Sequence, residues 1–437
     1  MELQGAGPGL SAAPRRRILT LAMLGMVFAF NNVDRNMFAL LLPQMRREIV
    51  LSDVMIGLLT GPAFAVIYSV AAIPIAWLSD RVGRKSIIAL GLGCWSLVTV
   101  ATGLATRVGH LVVARLALGV AEATNLSPGS AMIADMFPPR TRAVAFSVVS
   151  ASGSAGVLIA FPMIGAITQE HGWRAAFWLM GGLGLLASAC AWLVMREPAR
   201  PAGPRRVETG TLKFSQALSI AVRSWPFMLM VLAGVMISIA YSAMTAWLPT
   251  FMLRVNGLNA RETGAYIGMY RGGFGILAAL AGGVLVTVLA RRDGRWLAWF
   301  PGGLCLLLLP CDLLLLMSPT AAGWQIGLAL DTLFLTAAIP STFALVVALV
   351  DPRMRATGTS LYMLAFNLVG QSVGPFAVGV LNQMLQPAIG LTAIRYSLLL
   401  APASLLIAAV CLLRLAGHFG STGQVHQPLD EGVASPA

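Results

Sequence analysis

Asp34 and Arg35 adjoin in LTLAMLGMVFAFNNVDRNMFALLLP, and Arg115 and Glu122 stand in LVVARLALGVAEATNLSPGSAMIADMFP, two otherwise apolar runs. An ionised side chain at a bilayer centre costs about 2.5–3.5 kcal/mol on insertion scales, so such groups face a cavity, pair with one another and carry function. Seven residues separate Arg115 from Glu122, which puts them on one helical face, with Gly119 between them leaving room for a close neighbour. At a rise of about 1.5 Å per residue the four charges fall in one central band, and they sum to zero. Burial favours the neutral form of a carboxyl and a nearby guanidinium favours the charged form. A Glu whose Arg partner is drawn off by an anionic substrate can therefore change its protonation state. Glu122 is expected to be the proton-coupling group, with Asp34 beside it in that role and orienting Arg35. Arg35 would bind an anionic headgroup, assisted by Arg115 and Asn32.

A second pair lies further along the chain. Arg271 and Asp331 come at similar depths in their spans, which permits an ion pair or a substrate clamp. Asn367 and Gln371 share a helical face and can reach a cavity. Tyr241 and Trp247 offer aromatic surface to an amphiphile's tail, although aromatic side chains in spans also serve as plain packing or interfacial anchors.

The elements that must hold these groups are membrane helices. Of the 437 residues 57% are hydrophobic and 11% charged, against about 25% charged in soluble domains. Twelve apolar segments follow one another: 17–43, 53–78, 84–105, 109–136, 142–168, 173–195, 223–252, 262–289, 295–317, 322–350, 355–385 and 391–414. Each is near the roughly 20 residues a span requires. The expected fold is all-α and polytopic, with twelve transmembrane helices in two pseudo-symmetric six-helix bundles, residues 17–195 and 223–415. A Pro-rich charged stretch, 196–222, separates them as a cytoplasmic linker. Residues 1–16 form a cytoplasmic tail, and 416–437 are polar and expected to be disordered.

The formal net charge of +13 does not point to nucleic acid, because most of the Lys and Arg gather on one side of the spans. This positive-inside bias places both termini in the cytoplasm of a plasma membrane, the inner membrane in a bacterium. Five Cys at 94, 190, 305, 311 and 411 sit in apolar runs without CxxC spacing, and the four His lie in loops or the tail. Neither set forms a metal cluster, so no metal and no cofactor is expected. The chain lacks a phosphate-binding GxxxxGK[ST] loop and a nucleophile–His arrangement, which argues against ATP-driven pumping and against an enzyme. Apart from protons, a small amphiphilic substrate and the surrounding lipid, no partner is expected, and the chain is expected to act as a monomer.

The turn LSDRVGRKS, between the second and third spans, is the strongest local signal. Gly83 permits a tight reversal, Asp80 can face a helix N-terminus, and Arg84 can bridge to Asp135 at the end of span four. This turn resembles the signature loop of the major facilitator superfamily, with Ala76 where the leading Gly stands. The resemblance implies that Asp80, Arg81, Gly83, Arg84, Lys85, Asp135 and Arg142 form a cytoplasmic gate. Arg115 and Gly119 match a second motif of that family, R-x-x-x-G. The runs NNVDRNMFALLLPQMRREIVLSDVMIGLLTG, GVAEATNLSP, IADMFPPRTRA, HGWRAAFWLMG, WLPTFMLRVNGLNARETGAYIG and PRMRATGTSLYMLAFNLVGQSVGP are similar to its Spinster-like branch. The resemblance implies alternating access, a latch holding the halves together on the cytoplasmic side, and transport of a lysophospholipid or related amphiphile, proton-coupled in some members. It places Asp34, Arg35 and Glu122 at that branch's charged membrane positions. The alternatives are a proton-coupled small organic anion symporter, a drug efflux antiporter and, in a different class, a non-transporting membrane sensor.

Overall fold

In the computed structural model the described residues are 14–197, 218–219, 222–350 and 355–422. Most of the expected linker, most of the N-terminal tail and the tail beyond residue 422 lie outside them. The described residues are helical, with no strand among them. The helices are α1 (Pro14–Met45), α2 (Asp53–Thr60), α3 (Pro62–Val82), α4 (Arg84–Thr102), α5 (Val108–Met136), α6 (Pro139–Val194), α7 (Trp225–Arg254) and α8 (Ala260–Ile267). A π-helical turn (Gly268–Phe274) joins α8 to α9 (Gly275–Arg292). Then come α10 (Trp296–Met317), α11 (Ala321–Leu349), α12 (Arg355–Leu364), a second π-turn (Ala365–Gly370), α13 (Gln371–Ile389), α14 (Ala393–Ser397) and α15 (Leu400–Thr422).

Chemistry local to the chain sets the breaks. Ser52 caps α2 by accepting the Met55 N–H at 3.1 Å. Asn259 and Glu262 form a reciprocal capping box at the start of α8, which satisfies two donors that a helix start leaves free. Gly83, at φ +115°, turns the chain sharply between α3 and α4, and Gly172, at φ +80°, divides α6 into two antiparallel arms. Counting α2–α3, α8–α9, α12–α13 and α14–α15 as single crossings and α6 as two, the described residues cross twelve times. The first and last described residues therefore emerge on one face, called here the terminal face. The helix limits fall within a few residues of the hydropathic segments, except that α15 runs on to Thr422, into the segment expected to be a disordered tail.

Eight helical stretches are long and apolar enough to span a membrane, two of them, of 51 and 61 residues, long enough for two crossings. The helices α1 and α5 are not among the eight, although they have 32 and 29 residues. Asn31, Asn32, Asp34 and Arg35 make α1 more polar, and Arg115, Glu122 and Asn125 do the same in α5. Among the described residues, the two spans that carry Asp34, Arg35, Arg115 and Glu122 thus depart from the apolar standard that the others meet.

Helices α1–α6 pack on one another, as do α7–α15, and the two halves meet along α1–α7, α2–α13 and α6 with α8, α9 and the first π-turn. A Cβ at Gly57 would lie 2.6 Å from the Pro375 carbonyl, and one at Gly272 would lie 2.5 Å from the Leu158 backbone. Small residues at such points let backbones approach where lipid supplies no hydrophobic drive between helices. These seams run from the face opposite the termini to mid-span.

Candidate functional site

In the N-terminal half, α1 and α5 deliver their charges to one place. Glu122 is fully buried, and its Oε2 accepts hydrogen bonds from Arg35 Nη2 at 3.2 Å and Nε at 3.3 Å. The Arg35 guanidinium lies over the Phe64 and Tyr68 rings, 4.6 and 4.8 Å from their centroids. Its side chain remains 26% exposed while that of Glu122 is 0%. Thus the cation reaches an accessible space and the carboxylate does not. Glu122 Oε1 is buried with no hydrogen-bond partner, so Arg35 satisfies only one of its two oxygens.

Asp34 does not orient Arg35, contrary to the expectation from their adjacency. Its Oδ2 accepts from Thr99 Oγ1 of α4 at 2.6 Å. Neighbours in a helix point about 100° apart, so Asp34 and Arg35 serve different faces. Asp34 and Arg115 instead line one small pocket with Thr99, Thr102, Phe38 and Phe177, and the Arg115 guanidinium stacks 3.5 Å over the Phe38 ring. The four charges therefore separate into two neighbouring sets, Arg35 with Glu122 and Asp34 beside Arg115. Asn32, half-buried, holds Asn36, whose Nδ2 donates to its Oδ1 and its carbonyl at 2.7 Å each.

In the C-terminal half, Arg271 Nη2 donates to Asp331 Oδ2 at 3.0 Å. Arg271 stands on the first π-turn, the single-turn bulge that recurs at functional positions in helices. Asn367 stands on the second, where it donates to the Met363 carbonyl at 2.9 Å and accepts from Gln371 Nε2 at 2.6 Å. Ser238 and Ser242 of α7 donate to the Phe366 and Gly370 carbonyls of that turn at 2.7 and 3.0 Å. Backbone groups in irregular turns need such partners inside a membrane. Tyr241 is half-buried against the core. Trp247 does not face an open space: it is fully buried and donates Nε1 to the Pro375 carbonyl at 2.9 Å, which makes it a packing residue in this conformation.

Two groups of polar contacts mark the ends of the spans. On the terminal face Arg84 pairs with Asp135 and its Nη1 donates to the Ala131 carbonyl at 3.2 Å. Arg142 Nη2 donates to the Ala134 carbonyl at 2.8 Å. The carboxylate at the N-terminus of α4 is Glu197, which accepts the Arg84 and Lys85 backbone N–H groups at 2.9 and 2.8 Å. The Asp80 side chain lies outside the described residues. Arg81 stacks on Trp77 and Lys85 approaches Trp192. All these contacts lie within the N-terminal half, so in this conformation they brace that half and do not tie it to the other.

The tie is on the opposite face. Asp53, 2% exposed, accepts both Arg254 Nη1 and Nη2 at 2.9 Å and also pairs with Arg46 and Asn382. Arg254 and Asn382 belong to α7 and α13, so a single carboxylate at the start of α2 bridges the halves. An exposed pair, Arg261 with Glu170, repeats the link between α8 and α6. Sequence reading passed over Asp53 because an acid in the first turn of a helix is commonplace.

The sequence profile of the Major Facilitator Superfamily matches residues 24–375. An MFS-type efflux pump of Mycolicibacterium smegmatis is 30% identical over 400 residues, which cover 91% of this chain and 92% of that protein. The probable galactarate/D-glucarate transporter GudP of Escherichia coli is 26% identical over 67% of this chain and 70% of its own. In fold, the chain is similar to the inward-facing, unoccupied crystal structure of a bacterial homolog of the human lysosomal transporter Spinster. The TM-score is 0.76 at 24% identity, over 94% of this chain and 97% of that one. A helical membrane protein with paired charges in mid-span and a profile match over most of its length is a transporter and not an enzyme: this chain belongs to the Major Facilitator Superfamily.

Proposed function

We propose that this protein is a proton-coupled secondary transporter that works by alternating access on an anionic or zwitterionic amphiphile of the lysophospholipid class. The observation that carries the reading is the asymmetry of the Arg35–Glu122 pair, whose cation is partly exposed and whose carboxylate is buried. An anionic headgroup that draws Arg35 away leaves Glu122 without a countercharge in a low-dielectric site, where the protonated form wins. Proton uptake at Glu122 and headgroup binding at Arg35 then become linked. The resemblance of the sequence motifs to the Spinster-like branch supports the amphiphile, and the aromatic stack Tyr266–Tyr270–Phe274, with centroids 6.2 and 5.8 Å apart, offers apolar surface beside Arg271. By the positive-inside rule the terminal face is cytoplasmic. The protein would then sit in the plasma membrane, inner in a bacterium, and act as a monomer.

The sugar-acid specificity in the name of the GudP relative favours a second reading, a small organic anion held by Arg35 and Arg271. Reconstitution into liposomes under an imposed pH gradient separates the two. The amphiphile reading expects accumulation of lysophospholipid and none of galactarate, and the reverse result would install the organic anion. Gradient-driven movement of a cationic drug, with neither anion moved, would install drug efflux by antiport; efflux is what the name of the mycobacterial relative gives.

A further inference from the structure

Arg271 does not face one carboxyl but two. Asp312 of α10 is 0% exposed, as is Asp331 of α11, and the two carboxyls are close enough to act directly on each other. Packing forces this closeness. A Cβ at Gly327 would lie 2.5 Å from the Leu315 backbone, so α10 and α11 touch there. Because the helices run antiparallel, one turn further along both brings Asp331 opposite Asp312. Apart from each other and Arg271, these carboxyls are bare. Both Asp312 oxygens and Asp331 Oδ1 have no other hydrogen-bond donor, and Arg271 Nε has no acceptor.

Two carboxylates are acceptors only, and they can hydrogen-bond to each other only if one carries a proton. Charge counting agrees. Arg271 neutralises one carboxylate, and a second unprotonated acid would leave an uncompensated negative charge in the membrane interior, which is expensive. The charged or titratable groups that act on the pair are Arg271, from the π-turn, and Cys311, beside Asp312 on α10. On α15, which also packs against α10, Cys411 and Arg414 act on one another.

We propose that Asp312 and Asp331 form a second proton-binding site, in which the two carboxyls share one proton and Asp331 takes up a further one from the accessible space when Arg271 changes partners. In the state described, Asp312 is the acid, donating its O–H to the Asp331 carboxylate, which Arg271 holds from the other side. The cluster is then neutral. When Arg271 leaves for an anion, Asp331 takes up a proton and the cluster stays neutral. When Arg271 returns, that proton leaves. The π-turn that carries Arg271 also carries Gly272, pressed against α6 of the other half, so rearrangement of that seam moves the guanidinium. The release step rests on the transport reading; the shared proton does not.

Infrared difference spectra of the purified protein, titrated across neutral pH, test the shared proton directly. In a D34N/E122Q background, which removes the signals of Asp34 and Glu122, one buried carboxylic acid C=O band is expected, and D34N/E122Q/D312N is expected to lose it. A band that survives in the triple variant overturns the proposal, and so does a band that sodium titrates at constant pH, which would make this a metal-cation site. Melting temperature supplies a measure free of spectroscopy. Asn is close in shape to a protonated Asp, so D312N should melt within about 3 °C of the native protein. A clear rise would mean that substitution had relieved an ionised Asp312, and would overturn the proposal. In liposomes the proton-to-substrate ratio is expected to fall by one in D312N/D331N, which leaves Arg271 no acid to trade for a proton. An unchanged ratio there, together with loss of the band, would overturn the release step and leave the shared proton standing.

Discussion

The two halves of this transporter solve the same problem with different arithmetic. In the N-terminal half two cations and two acids share the central band, and each acid has its own polar partner: Arg35 for Glu122 and Thr99 for Asp34. In the C-terminal half one cation serves two acids, and the surplus carboxyl leans on its neighbour. A balanced set can hold every group ionised in a membrane interior, whereas a set with surplus acid must hold a proton. The partly exposed cation of the first set and the nearly enclosed one of the second, 26% against 13%, suggest that substrate meets Arg35 more readily than Arg271.

Removing one cation breaks the comparison most severely. R35M leaves Glu122 buried and unpaired, with an expected loss of about 3–5 kcal/mol of stability when Glu122 is ionised. R35M/E122Q should recover most of that loss in thermal unfolding. A double variant no better than R35M would mean that Arg35 acts through its stacking on Phe64 and Tyr68.

The C-terminal pair should respond less steeply, because a shared proton can redistribute. R271M is expected to cost about 3 kcal/mol or less, and R271M/D331L to be better tolerated than either single change. Two additive defects would show that the residues act separately.

The tie on the opposite face tests whether conformation is held by charge as well as by packing. Charge-assisted hydrogen bonds contribute about 1.5–3 kcal/mol, and D53N weakens those to Arg254. Spin labels at Val50 and Ile389, both exposed, should then report a new population of longer separations in pulsed electron resonance. An unchanged distribution would assign closure to the glycine-lined seams alone.

The smallest effect is expected outside the membrane. Arg174 and Trp173 hold the Glu48 carboxyl below the usual Glu range by hydrogen bonding. A depressed carboxylate stabilises the fold above its ordinary value and loses that contribution as pH falls through the depressed one. E48Q should therefore cost at most about 1 kcal/mol near neutral pH, and the difference from native should vanish in acid. A pH-independent difference would assign Glu48 a packing role.

Much of this fold was legible in the chain because lipid enforces one pattern, a run of roughly 20 apolar residues per crossing. The charges of α1 and α5 were legible for the same reason, as violations of it. Their pairing was not. Asp34 turned to Thr99, a neutral residue three helices away in sequence, and only tertiary register could show that. Asp312 carried a readable signal, an acid inside PCDLLLLM, which the more obvious Arg271 and Asp331 obscured. Glu197 lay in the charged stretch read as a linker, and only the reversal at Gly83 brings the start of α4 to it. Trp247 shows the converse limit, since an aromatic side chain in a span does not announce whether it lines a cavity or fills a core.

The central claim is that Glu122 exchanges its proton against occupancy of Arg35. Native protein and E122Q, each reconstituted in liposomes, can be compared for lysophospholipid transport with and without an imposed pH gradient. The account predicts that E122Q still exchanges substrate down its own gradient but no longer accumulates it when a pH gradient is the only driving force. Undiminished gradient-driven accumulation by E122Q would contradict it.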